Sequence, residues 1–203
     1  GRPGGVRMMQ TKKEQKLILK ICAVAMMAAI VFVGNYLRIK IPVSLGGTTS
    51  FTLANILCAL AGLLLGPWWG GLAAGLGSAI YDMLDPEYII EAPITFLTKG
   101  MYGLVAGLVL YYLFKNSKEK YGPQVVATAC AAVTYLVLYS VKNFFFNAMF
   151  LEGLTEPIQC WIVVTSKLPA SIFNGVVAVI FAPILGVALM KALRSSHLDR
   201  MLA

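Results

Sequence analysis

Asp82, Lys99, Lys142 and Lys167 are ionisable residues set within runs that are otherwise apolar. A charge at membrane depth is costly, so it faces a partner or a cavity. Tyr81, Tyr102, Tyr139, Asn143, Asn147 and Asn174 fall in the same runs, and Asn35 and Asn55 add amides from two earlier ones. Ammonium groups, amides and one carboxylate could together fix a small polar solute, with aromatic rings covering its flat or apolar part. The surplus of ammonium over carboxylate would favour a solute bearing a carboxylate or phosphate, unless Glu87 and Glu91 fold inward and cancel it. A plainer reading stands beside this one: Asp82 pairs with one lysine and the others snorkel to the interface. The run Phe144–Phe146 reads as lipid-facing or packing rather than as a stacking platform.

Other chemistries find no residues to carry them. His197, the single histidine, sits in the basic tail, which excludes a histidine-based metal site or catalytic triad. Cys22, Cys58, Cys130 and Cys160 lie singly, without the paired spacing of a metal or redox site. No GxxxxGK[ST] segment is present, so the chain does not hydrolyse a nucleotide by itself. The expectation is a protein that is not an enzyme and holds no metal or resident cofactor.

The elements that must position these side chains are membrane helices. The chain has 203 residues, 59% of them hydrophobic and 13% charged, with a mean hydropathy of +0.77. A bilayer core of roughly 30 Å needs about 20 apolar residues per helix, so about six such helices use up this length. Residues 1–11 read as a tag remnant or disordered N-terminus, and 12–203 as a single six-helix transmembrane domain. The net charge of +8 does not imply nucleic-acid binding, because the basic residues cluster at segment ends.

In chain order, the spacing predicts helix 1 over Lys16–Leu37 and an outer loop over Arg38–Thr49. Helix 2 follows over Ser50–Leu65 and is stopped by Gly66-Pro67, since proline lacks an amide hydrogen. Trp68 and Trp69 suit an interfacial belt. Helix 3 then runs to Leu84 with Gly71, Gly75 and Ala79 on one face for close contact. Helix 4 is expected over Pro93–Phe114, and helix 5 from Gly122-Pro123 to near Phe150. A single helix over Ile158–Leu193 would overshoot the bilayer by about 20 Å. Ile158–Ser166 is therefore expected as an outer loop or short surface helix, with helix 6 over Leu168–Leu193. The lysine-rich start, Lys115–Lys120 and the tail would lie inside. Asp85, Glu87, Glu91, Glu152 and Glu156 would lie outside, so both termini are expected in the cytoplasm.

The chain resembles the substrate-binding S components of energy-coupling factor (ECF) importers, in the riboflavin- and hydroxymethylpyrimidine-type branch. The resemblance covers about Lys12–Leu193. It rests on AxxxA at Ala25–Ala29, on LLLGP at Leu63–Pro67 followed by WWGG, on GLGSAIYD at Gly75–Asp82, and on Lys99-Gly100 with Gly103 and Gly107. It implies capture of a water-soluble vitamin or vitamin precursor from outside the cell membrane. The pocket would lie under a lid of the helix 1–2 and helix 3–4 loops, for which Gly46, Gly47, Asp85, Glu87 and Tyr88 are the gating candidates. It further implies docking through Ala25 and Ala29 onto a transmembrane coupling protein that works with two ATPase subunits. Those partners use the ATP, the chain alone is a monomer, and its solute could co-purify. No residue pattern singles out a vitamin. Riboflavin, with Asn143, Asn147 and Asn174 as amide partners, is the first to test, and an anionic vitamin such as pantothenate the next. Two other classes stay open: a self-sufficient channel or secondary transporter, and an intramembrane enzyme.

Overall fold

The computed structural model describes residues 3–43 and 48–198. Its order is α1 (Pro3–Tyr36), β1 (Arg38–Pro42), β2 (Thr48–Thr52), α2 (Ala54–Leu65), α3 (Pro67–Leu84), α4 (Ala92–Leu108), α5 (Tyr121–Lys142) and α6 (Pro157–Ser195). A 3₁₀ turn, Ile89–Glu91, precedes α4, and π-helical extensions continue α4 over Val109–Leu113 and α5 over Asn143–Leu151. Among the described residues four helices are long and apolar enough to cross a membrane: Met8–Tyr36, Ile89–Leu113, Tyr121–Leu151 and Pro157–Ser195.

The short helix α2 is the centre of the bundle. Nine of its residues are buried, among them Ala54, Asn55, Cys58, Ala61 and Leu63. A helix apolar on every face belongs inside protein, and α2 packs against α1, α3, α4, α5 and α6. Its 12 residues rise only about 18 Å. Surrounded by other helices, it does not need to match the thickness of lipid.

Glycine sets the spacing of α2, α3 and α4. A Cβ on Gly62 would fall on the Gly103 carbonyl, and one on Gly103 would sit 2.8 Å from the Gly70 carbonyl oxygen. Without side chains the three backbones touch directly. The predicted Gly71–Gly75 face meets α4 at Gly100 and Phe96. Gly66 turns the chain between α2 and α3 with a φ of 83°, a conformation that favours glycine, and Pro67 opens α3.

The structure corrects several boundaries. α1 begins at Pro3, well before the expected Lys16, because the run MMQTKKEQK holds no helix breaker. Within the expected loop, Arg38–Pro42 is a strand, and it pairs antiparallel with Thr48–Thr52, where helix 2 was expected to start at Ser50, so that Ile39 meets Phe51 and Ile41 meets Thr49 in a hairpin. Gly46 and Gly47 lie outside the described residues.

The largest correction is α6. Residues Ile158–Ser166 are not a loop but the first turns of one continuous helix of 39 residues, about 58 Å long. Cys160 and Val163 pack against Ala148, Phe144 and Leu154, so the segment has its own apolar seat on the end of α5. Pro169 and Pro183 lie inside α6, which is how prolines can be accommodated in membrane helices.

Candidate functional site

A polar cavity lies at one end of the bundle, where α1, α3 and α5 end and α2, α4 and α6 begin. Its walls are Asn35 from the end of α1, Arg38 from the start of β1, Asn55 from α2 and Asp82 from α3. Glu91, Thr95, Thr98 and Lys99 line it around the start of α4. Tyr135, Tyr139 and Lys142 come from α5, and Ser171 and Asn174 from α6. Thr49, Ser50, Thr52 and Tyr88 close it from above. The space is about 70 Å³.

Each charged group in the wall is held differently. Lys142 Nζ forms an ion pair with Glu91 Oε2 at 2.5 Å, both side chains being under 10% exposed. Asn147 Nδ2 donates to the other oxygen of Glu91 at 2.6 Å. Asp82, 4% exposed, accepts from the Thr95 hydroxyl. Lys99, 7% exposed, donates to Asn55 Oδ1 and lies 4.5 Å from the centre of the Tyr135 ring. Tyr135 stacks on Tyr139 at 5.6 Å, and Lys142 lies over Tyr139 at 5.1 Å. Arg38 Nε donates to the Asn35 carbonyl at 2.7 Å and its Nη2 to Asn35 Oδ1 at 2.8 Å. Its guanidinium also lies 4.3 Å from the centre of the Tyr81 ring.

The hairpin is a cap tied down on two sides. On one side Asn174 Nδ2 donates to the Ser50 carbonyl at 2.8 Å, and its Oδ1 accepts from the Thr52 amide at 3.2 Å. Phe51 meets Phe173 edge to face at 5.0 Å. On the other side Lys40 Nζ pairs with Asp85 Oδ2 and Glu87 Oε2, both at 2.8 Å. Thr48 donates to Glu87 Oε1 at 2.5 Å and shares a hydrogen bond with Tyr88. An isolated two-stranded hairpin is marginal in water, so these ties set its position.

The ties also tune the groups that make them. Burial depresses the Lys40 ammonium, but its hydrogen bonds to Asp85 and Glu87 outweigh that and hold its pKa above the ordinary value. Hydrogen bonding from Lys40, then from Thr48, holds Glu87 below the usual carboxylate range. For Asp85 burial works upward, but the Lys40 hydrogen bond and the Glu87 amide carry it below.

Of the residues expected to meet solute, Asp82, Lys99, Tyr139, Lys142 and Asn174 line the cavity. Tyr102, Asn143, Asn147 and Lys167 do not line it. Tyr102 is wholly buried behind Tyr135, with ring centres 5.3 Å apart. Asn147 stands behind Glu91, and Asn143 is 1% exposed. Lys167 lies one and two helical turns from Val163 and Cys160, on the face that α6 turns to the end of α5.

Neither expected form of the charge balance holds in full. Among the described residues Asp82 pairs with no lysine; Lys99 and Lys167 are buried, and Lys142 is turned inward to Glu91, rather than reaching for the interface. Glu91 does fold inward, while Glu87 stays with Lys40. Sequence reasoning missed Arg38, Thr49, Ser50, Thr52, Thr95, Thr98, Tyr135 and Ser171. The alternation in Arg38-Ile-Lys-Ile41 was the signal that could have placed the hairpin residues. Asp85, Glu87 and Tyr88 bond to the hairpin, and Tyr88 lines the cavity.

Ala25 and Ala29 are exposed on α1, on the side away from Val24, Met27 and Val31, which face the core. Among the described residues no group of acidic, histidine and cysteine side chains is placed to hold a metal ion.

Comparisons with known proteins agree with this architecture. An uncharacterised protein of Pyrococcus woesei is 30% identical over 102 residues, 50% of this chain and 62% of that protein's length. The solved S component of a bacterial ECF transporter superposes with a TM-score of 0.60, covering 89% of this chain and 98% of that one. At 22% identity that likeness shows a shared fold. The family described as ECF-type riboflavin transporter, S component, matches residues 16–191, a transporter family rather than an enzyme family. With a family match over most of its length and several helices apolar enough to span a bilayer, this chain is a multi-pass membrane protein that belongs to the S components of ECF-type transporters.

Proposed function

We propose that the chain captures a water-soluble vitamin or vitamin precursor at the outer face of a bacterial cytoplasmic membrane. It then hands the solute inward after associating with a transmembrane coupling protein and two ATPase subunits. The observation that carries this reading is the polar cavity under a hydrogen-bonded cap. Six helices contribute to its walls, and the hairpin and the Asp85–Glu91 segment close it. A cavity much smaller than the roughly 300 Å³ at which ligand pockets begin admits a vitamin only if that cap moves.

Charge supports the orientation. The cavity end carries Asp85, Glu87, Glu152 and Glu156, whereas the opposite end carries Lys115, Lys118, Lys120, Lys191 and Arg194. Basic loops favour the cytoplasm, so the cavity faces outward and six helices run with both termini inside. The exposed small-residue strip at Ala25 and Ala29 suits close approach by a helix of the coupling protein. ATP is used by the partner subunits, and the chain alone is a monomer.

Reconstitution tests this directly, with riboflavin and then pantothenate as labelled probes. Proteoliposomes holding the chain, the coupling protein and both ATPases should accumulate solute when ATP is sealed inside, and those holding the chain alone should not. Accumulation by the chain alone would instead make it a self-sufficient channel or transporter.

A further inference from the structure

The lining of the cavity narrows what it can hold. Among the described residues, no wholly aliphatic side chain, phenylalanine or tryptophan lines it; its aromatic surfaces are the rings of Tyr88, Tyr135 and Tyr139. Pockets for flat or lipophilic ligands are lined mainly by apolar groups, with a few polar ones to fix orientation. Here polar surface is at least as extensive as apolar.

The charges narrow it further. Three cations, Arg38, Lys99 and Lys142, face two carboxylates, Asp82 and Glu91, so one positive charge is in excess. Glu91 is taken by Lys142. Arg38 is turned onto the carbonyl and amide oxygens of Asn35. Lys99 is deep in the wall, and neither it nor Arg38 has an ion-pair partner among the described residues. An ammonium carries three donors, and Lys99 spends one on a neutral amide oxygen, with a tyrosine face beside it. A buried charge without a paired counter-charge is unfavourable, and Asp82 is the one carboxylate left in the wall to face both Lys99 and Arg38.

We propose that the solute is a small hydroxylated anion whose acidic group provides the counter-charge that Lys99 lacks. Its hydroxyl groups would meet the side chains of Thr95, Thr98 and Ser171. Lys99 is then the residue that selects an anion over a neutral solute. This rests on the solute-capture reading above and departs from a flavin as cargo.

The test uses the full chain, purified in detergent and washed free of solute, as wild type, Lys99→Met and Lys99→Arg. Lys99→Met should raise the melting midpoint of the solute-free protein by a few degrees, because an uncompensated charge is gone; Lys99→Arg should not. By titration calorimetry, pantothenate should bind wild type at least about 30-fold more tightly than it binds Lys99→Met, the low end of losing a buried charge partner. Pantothenol, the same skeleton with an alcohol for the carboxylate, should bind wild type as weakly as pantothenate binds Lys99→Met. A lower melting midpoint in Lys99→Met would overturn the proposal by making Lys99 a structural residue. Tight riboflavin binding by wild type, with pantothenate bound equally by wild type and Lys99→Met, would overturn it too, while leaving solute capture intact. Accumulation by the chain alone in the reconstitution would strike the capture reading itself.

Discussion

The two ends of α2, α3 and α4 are built on opposite principles. At one end Gly62, Gly70, Gly103 and Gly107 bring backbone against backbone around the Gly66-Pro67 turn, leaving no room for a side chain. At the other end Asn55, Asp82 and Lys99, on the same three helices, stand around a cavity and are held by single polar contacts. The first arrangement fixes the helices; the second holds groups that a solute could rearrange without moving the helices. A carrier needs both, because a cap can open over a site only if the floor stays still.

The comparison breaks most sharply at the packed end. Gly62→Leu should cost about 3 kcal/mol or more through overpacking, read as loss of folded, monodisperse protein after extraction. Gly122→Leu, where nothing lies within 4 Å of an added Cβ, should leave the yield unchanged. Equal yields for both would mean that the glycine contacts do not set the fold.

At the cavity end a single change should be costly only when it strands a charge. Glu91→Gln leaves Lys142 buried and unpaired, at an expected cost of about 3–5 kcal/mol in thermal unfolding of the solute-free protein. Adding Lys142→Met should recover most of the loss. A double variant no better than Glu91→Gln alone would show that the pair is not the source.

Smaller effects belong to the cap. Asn174→Ala removes two hydrogen bonds to β2, each worth about 1 kcal/mol. Hydrogen exchange at Thr48–Thr52 should then speed up at least several-fold while exchange in α2 is unchanged. Equal acceleration in both would mean that the cap does not open as a unit.

The smallest effect is that of pH on the Lys40 clamp. Asp85 and Glu87 have lowered folded pKa values, so their contribution is present above the ordinary carboxylate value of about 4 and is lost as pH falls through the folded values. Lys40 is raised, so its contribution is present below about 10.4 and is lost only as pH rises through its folded value. Protection of the hairpin amides should therefore be flat from about pH 5 to 9 and fall below about pH 4. Lys40→Met should abolish the acid step, and an unchanged step would assign it to other carboxylates.

Much of the fold was legible because apolar runs and their stops are local signals. Gly66-Pro67 ended α2 where expected, and the four-residue glycine spacing of α3 met α4. The hairpin was passed over because a reading tuned to long apolar runs skips five-residue strands, even though Arg38–Ile41 alternates. α6 was cut short because its length was weighed against the bilayer alone. The contact of Cys160 and Val163 with the end of α5 cannot be seen before the helices are placed. The site was half legible for the same reason. Buried charges announce themselves in sequence, which found Asp82, Lys99 and Lys142. It could not tell that Lys167 faces the end of α5, or that Glu91 turns inward to Lys142. Neither π-helical extension left a signal in residue type.

In the proposed function the polar end of the bundle captures a solute. Native mass spectrometry of the protein as purified from its membrane, followed by denaturation and identification of what is released, tests it most directly. The account predicts one small compound at one per chain, lost when Asp82 and Lys99 are replaced by alanine and retained in Gly122→Leu. A compound that stays bound when both cavity residues are gone would contradict it, because the solute would then sit elsewhere.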